Sequence, residues 1–274
     1  MHSEIRAALA IARKDLLQAR RYPVSFLAWI FTTLYQGVIP VFLFGAAFAT
    51  GGRLVGLERS VGTDDLAGFI FLGGMISGLV ANAFWGMAMS FRNEMNQGTL
   101  EPTWLTPTSH QTLVLGRALG SLVFYALSQV VLLTIGYAFF GLRFRADLVL
   151  AAPAIALAIV AMVGVAYLIA GAVLLIKDAD LFVDTTNFLF STTSGTAFPI
   201  TVLPAILQPI ALLLPTTYAV DLLRHQALGA RALFDPVLEY AVLALLTVAV
   251  YPLGRFAFAR ADGRLRRTGA LAQH

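Results

Sequence analysis

The sequence predicts an all-α polytopic membrane protein with six transmembrane helices, and three observations carry that prediction. Apolar runs of about 20 residues, the length a helix rising 1.5 Å per residue needs to cross roughly 30 Å of hydrocarbon, recur along the whole chain. Hydrophobic residues make up 58% and charged residues 12%, with a mean hydropathy of +0.79, whereas an ordinary soluble domain is about 25% charged. Arginines gather beside the apolar runs, as membrane topology requires. The net charge of +4 is explained by that arrangement and is no sign of nucleic-acid binding. Residues 1–274 read as a single transmembrane domain with no room for a sizeable soluble one.

The first 21 residues read as an amphipathic helix at the membrane surface. Ile5, Leu9, Ala12 and Leu16 follow helical spacing on one face, and Arg6, Arg13 and Arg20 recur every seven residues on another, a pattern that suits anionic lipid headgroups. Charges interrupt the stretch throughout, which excludes a cleavable signal peptide. Spans follow at 22–49, 66–91, 112–141, 148–176, 181–199 and 236–259. The apolar stretch "PITVLPAILQPIALLLPTTYAVDLLR" between the last two is broken by Pro199, Pro204, Pro209 and Pro215. Each proline removes a backbone donor, so 199–231 is predicted as a re-entrant helical pair at the outer face, not a seventh span. With six spans, Arg6 to Arg21, Arg92, Arg117, Lys177 and the arginines from Arg255 to Arg267 fall on one side, against Arg53, Arg59, Arg143, Arg145, Arg224 and Arg231 on the other. The positive-inside rule then places both termini in the cytoplasm.

Several function classes are disfavoured by what the chain lacks. Ion-coupled carriers place acidic or basic groups inside their spans; here Asp184 and Glu239 sit near span ends, and Arg117 near a cytoplasmic end where snorkelling accounts for it. There is no G-x-x-x-x-G-K-[ST] phosphate loop, and the only lysines are Lys14 and Lys177, so any ATP hydrolysis belongs to another polypeptide. His2, His110, His225 and His274 form no H-E-x-x-H spacing, no G-x-S-x-G elbow occurs and cysteine is absent. Catalytic, metal-binding and cofactor-binding residues are therefore expected to be none. The rival classes are a carrier needing no nucleotide, ion-independent or secondary, and a membrane enzyme or assembly scaffold.

The longest polar passage, "FRNEMNQGTLEPTWLTPTSHQ" at 91–111, falls on the cytoplasmic side of this topology. By composition it is a connection built of turn-forming Asn, Gly and Pro. Its Glu94, Gly98, Thr99, Leu100, Glu101, Thr106 and Pro107, however, stand in the order of a motif. They resemble the acidic residue, G-T-L-E and T-P of the type-2 ABC transporter permeases, with Pro102 departing from the pattern. Ser194, Gly195, Phe198, Pro199, Leu203, Pro204, Leu214, Pro215, Tyr218 and Arg224 are similar to that family's outer segment. The resemblance implies a permease that dimerises, with itself or with a related paralogue, and binds two copies of a separate ATP-binding-cassette ATPase. That partner would hold ATP and magnesium, and export would run across the prokaryotic plasma (inner) membrane. It also implies a cytoplasmic coupling helix at 92–110 between spans two and three, with Arg92, Glu94, Gly98, Thr99, Glu101 and Pro107 as the ATPase-coupling residues. The carboxylates of Glu94 and Glu101 can meet cations on a docked partner or on the chain's own N-terminal helix.

Two spans carry polar groups of interest for a substrate path. In the second, Gly74, Gly78, Asn82 and Gly86 lie four apart, a small-residue seam for helix packing. Asn82 within it needs a partner in protein, water or substrate. In the fifth, Asn187, Ser191, Thr192, Thr193, Ser194 and Thr196 belong to a run of hydroxyls and amides that either lines a route or satisfies itself on nearby backbone carbonyls. A groove with apolar walls and few fixed charges suits a large amphipathic substrate: a drug, a lipid or a lipid-linked glycan.

Overall fold

A computed structural model describes residues 2–21, 61–98, 108–176 and 179–268, with a few isolated positions between them. The predicted first span at 22–49, and Thr99, Glu101 and Pro107 of the motif, lie outside the described residues. The regular elements described are all helical: α1 (His2–Arg21), α2 (Leu66–Asn96), α3 (His110–Phe140), α4 (Ala152–Val173), α5 (Ala179–Thr193), α6 (Gln208–Leu212), α7 (Pro215–Leu228) and α8 (Pro236–Thr268). Four of the rods are long and apolar enough to cross a membrane, over Leu66–Asn96, His110–Phe140, Val149–Val173 and Pro236–Leu265. They answer to predicted spans two, three, four and six. The fifth is shorter than predicted, because Ser194 and Gly195, the latter at φ 78°, turn the chain directly after Thr193.

Local chemistry sets the ends of these rods. The Asp65 carboxylate accepts from the Gly68 N–H at 2.7 Å and caps α2; Ser109 accepts from the Thr112 N–H at 3.2 Å and caps α3. Pro215 starts α7, where its missing N–H costs nothing, and Gly229 closes it. Midway, α2 widens into a π-helix over Asn82–Ala88, and the Met89 N–H reaches the Phe84 carbonyl five residues back at 3.0 Å.

The bundle has two distinct ends. At one, α7 packs beside the starts of α2 and α8 and the segment before α4: Arg231 N–H donates to the Val61 carbonyl, Arg145 N–H to Ala227 and the Tyr240 hydroxyl to Leu150. At the other lie α1, the end of α2, the start of α3 and the tail of α8. Between them α4 and α8 touch backbone to backbone: a Cβ on Gly164 would stand 2.7 Å from the Tyr251 Cα, and one on Gly254 would strike the Gly164 carbonyl. Exposed Val130, Tyr137 and Phe139 on α3, and Leu245, Val248 and Phe256 on α8, give the rods an apolar outer surface suited to lipid.

Of the apolar face read for α1, Ala12 is buried and Leu9 exposed. Ala8, Ala12 and half-buried Ile11 lie on α3 at Gly116, while Leu9 and Leu17 are exposed beside Arg6 and Arg13. A Cβ at Gly116 would come within 2.8 Å of the Ile11 Cβ and 3.0 Å of the Ala8 carbonyl, so the absent side chain at Gly116 is what lets the two helices approach closely. The side chains of Ile5, Leu16 and Arg20 lie outside the described ones.

Candidate functional site

A polar seam runs down the α2–α3 contact toward the α1 end. Tyr125 donates to the Met75 carbonyl at 2.8 Å, and below it the Asn82 amide meets the Ser121 hydroxyl at 3.4 Å. Asn82 is buried in this seam, so its partner in the structure is protein. The seam ends at Glu94, whose carboxylate pairs with Arg117 of α3 and, at 3.4 Å, with Lys14 of α1. Glu94 and Arg117 are almost fully enclosed, at 7% and 10% side-chain exposure. The Arg117 guanidinium also lies 5.5 Å from the centre of the Phe91 ring.

Of the two kinds of cation read for Glu94, the chain's own are met here. The enclosed carboxylate ties three helices together. Arg117 likewise does not snorkel; it turns into the protein, where a counter-ion compensates its burial. Among the remaining motif residues, Gly98 has a plain local role. Gln97 N–H donates to the Asn93 carbonyl and Gly98 N–H to Met95, each at 3.0 Å, and Gly98 takes φ 67°. That left-handed turn ends the rod, as glycine does at a helix C-terminus. Arg92 is half-buried one turn earlier.

The opposite end is built around Arg224. This buried guanidinium donates to the carbonyls of Gly195 at 2.7 Å, Thr196 at 2.6 Å and Phe69 at 3.1 and 3.2 Å, and lies 3.4 Å from the centre of the Phe69 ring. It clasps the turn after α5 to the first turn of α2. Ahead of it, the Thr217 hydroxyl donates to the Ala211 carbonyl at 2.6 Å and the Tyr218 hydroxyl to Leu212 at 2.8 Å. Those are the last carbonyls of α6, where Pro215 breaks the chain; the Ala211 carbonyl also accepts from the Leu214 N–H at 3.1 Å. Pro199 precedes a short 3-10 turn, and the Pro204 carbonyl accepts from Leu207 at 2.8 Å. Beside the clasp is a cavity of about 230 Å³ bordered by Phe69, Asp221, Arg224 and Arg231. Burial pushes the Asp221 carboxyl above its usual range, against the Leu233 N–H that favours its charge.

The α5 hydroxyls are largely engaged with backbone. Thr186 donates to Phe182 and Thr193 to Leu189, each at 2.7 Å, while Ser194 and Thr196 donate to Ser191 at 3.1 and 2.8 Å. Leu181, Asp184, Thr185 and Phe188 form an exposed stripe on the same helix, with Ser191 and Thr192 half-buried. Asn187 keeps a buried side-chain oxygen with no hydrogen-bond partner among the described residues.

Ser121 and Tyr125 are not singled out by the sequence. Their signal is faint: a polar residue every fourth position of α3, at Arg117, Ser121, Tyr125 and Gln129, inside an apolar run.

A family model of the ABC-2 type transporter matches residues 6–228. The chain belongs to the ABC-2 type transporter family. It is a multi-pass membrane permease of that type, and in this family the membrane component transports without itself being catalytic. No curated protein matches the chain. The ABC-2 match runs from α1 to the end of α7, so it contains the Glu94 junction and the Arg224 clasp; α8 lies beyond it.

Proposed function

We propose that this ABC-2 permease works as a dimer of six-span chains, driven by two copies of a separate ATP-binding-cassette ATPase that docks on the loop between α2 and α3. The Glu94 junction carries this reading. A load placed on the loop reaches a carboxylate held by α1 and α3 together, so one push is shared by three helices and not lost in a flexible connection. The arginine-rich α1 end is cytoplasmic by the charge rule, and the clasped α5–α7 segment forms the outer cap. ATP and magnesium stay on the partner, and the cargo is a large amphipathic molecule such as a drug, a lipid or a lipid-linked glycan. The exposed stripe of α5 faces the second copy and the route.

Co-purification tests the assembly. The tagged permease, expressed with ATP-binding-cassette ATPases of its own source, is expected to bring one of them down in equal amount; transport in proteoliposomes without any ATPase would defeat the proposal. Orientation is checked separately. The chain has no cysteine, so Gln97→Cys introduces a single exposed thiol in the loop. It is expected to resist an impermeant maleimide in intact cells and to react in inverted vesicles; the reverse pattern would overturn the topology.

For α5, Thr192→Val with Thr193→Val is expected to leave expression and ATPase docking intact. Thr193 satisfies its hydroxyl on the backbone of its own turn, so its loss frees only one carbonyl. A change in the ATPase rate stimulated by amphipathic dyes or lipids marks the helix as route-lining. Unchanged stimulation across such a panel assigns it to packing.

A further inference from the structure

The tail of α8 lies beyond the matched family region. At 33 residues α8 is about 50 Å long, roughly 20 Å more than a hydrocarbon core requires. The surplus projects at the α1 end and takes hold of both sides of the loop. On the α2 side, the Phe91 and Phe258 rings lie 5.8 Å apart, both fully buried. On the α3 side, His110 Nδ1 and the Asp262 carboxylate are 2.7 Å apart at 4% and 14% side-chain exposure, and Arg255 Nε donates to the Gln111 side-chain oxygen at 2.9 Å. The Tyr167 hydroxyl of α4 donates to the Gln111 carbonyl at 2.8 Å, fixing the same turn from a third helix. Pro252 interrupts α8 just above this tail, where its ring removes a backbone bond and makes the natural place to bend.

We propose that Asp262 and Arg255 are positioning residues for coupling: they fasten the exit of the α2–α3 loop to the α8 tail, so that loop and tail move as one body and the push reaches the last span. The inference rests on the proposed ATPase docking at that loop. Phe258 on Phe91 already joins the tail to the end of α2, so what the His110–Asp262 pair adds is a hold on the exit of the loop. Its short polar contact in an enclosed site resists shear.

Spin labels report the motion directly. Labels at Gln97→Cys in the loop, at exposed Ala259→Cys on the tail and at exposed Val149→Cys as a reference at the opposite end are read in pairs. The sample is the permease–ATPase complex, with labelled chains diluted into unlabelled ones, before and after ATP, magnesium and vanadate. The expected result is that positions 97 and 259 shift together relative to 149, with the 97–259 distance unchanged. Asp262→Ala is expected to keep the shift at 97 and lose at least half of that at 259, while the exchange His110→Asp with Asp262→His restores it. Should Asp262→Ala fail to assemble, His110→Leu with Asp262→Leu, which removes the polar contact without stranding either partner, serves in its place. A tail that stays still while the loop moves, or an undiminished shift at 259 without the Asp262 carboxylate, overturns the inference. No shift at 97 in an ATPase-bound complex overturns the docking reading, and the inference with it.

Discussion

Arg224→Ala is expected to abolish accumulation of the folded permease. The guanidinium donates to three buried carbonyls, those of Phe69, Gly195 and Thr196, and covers the Phe69 ring. Phe69 lies within α2, whereas the Gly195 and Thr196 carbonyls stand in a turn. Each of those two left unpaired costs about 1–3 kcal/mol, a large share of the whole stability of a typical domain, about 5–15 kcal/mol. Arg224→Lys keeps the charge but not the planar fork that reaches carbonyls on two separate elements at once, so it is expected to fall between wild type and alanine. The measurement is the melting temperature of detergent-solubilised protein with membrane yield as a second readout. A lysine variant as stable as wild type would show that charge alone holds the outer cap together.

Glu94→Ala is expected to separate two effects that the wild-type carboxylate combines. Its loss strands Arg117 in an enclosed site, and breaking a buried pair from one side costs about 3–5 kcal/mol. Replacing both partners, as in Glu94→Leu with Arg117→Leu, removes the stranded charge, and apolar substitutes for buried ion pairs are often neutral or stabilising. The double variant is therefore expected to melt near wild type. Coupling is expected to stay broken in it, because Lys14 of α1 no longer has a carboxylate to hold. Melting temperature, ATPase co-purification and ATP-driven displacement of the loop are read on the single and double variants. A double variant with restored coupling would reduce the junction to a packing site.

Four of the rods were legible because membrane spans announce themselves by length and hydropathy. The caps at Asp65 and Ser109 were not read, because a polar residue before an apolar run has several uses until its N–H partner is placed. The breaks into short helices between Pro199 and Pro215 were legible through the prolines. What composition could not give was the direction of side chains. Glu94 reads as a loop carboxylate since the sequence places it beyond the apolar run, yet α2 continues past it and turns it onto Arg117. Asn82 reads as an open question because its partner, Ser121, is 39 positions away in the chain. The α8 tail was undervalued for a similar reason: Asp262 among arginines looks like a solvated charge until His110, 152 positions earlier, is brought against it.

The π-helical stretch in α2 has a consequence for phase. In an α-helix four residues overrun a full turn by about 40°, so a stripe repeated every four positions drifts around the rod. The wider π turn takes more residues per revolution and lets the drift fall back. Gly78, Asn82 and Gly86 consequently keep facing α3, against Gln129, Tyr125 and Ser121. The stretch therefore holds one residue more than ordinary α-helical turns would over the same length. Removing one residue between Asn82 and Ala88 is expected to close it to α-helical turns and leave Glu94 facing Arg117. Removing one from the α-helical turns on either side instead rotates the rest of the rod by about 100°, swinging Glu94 off Arg117.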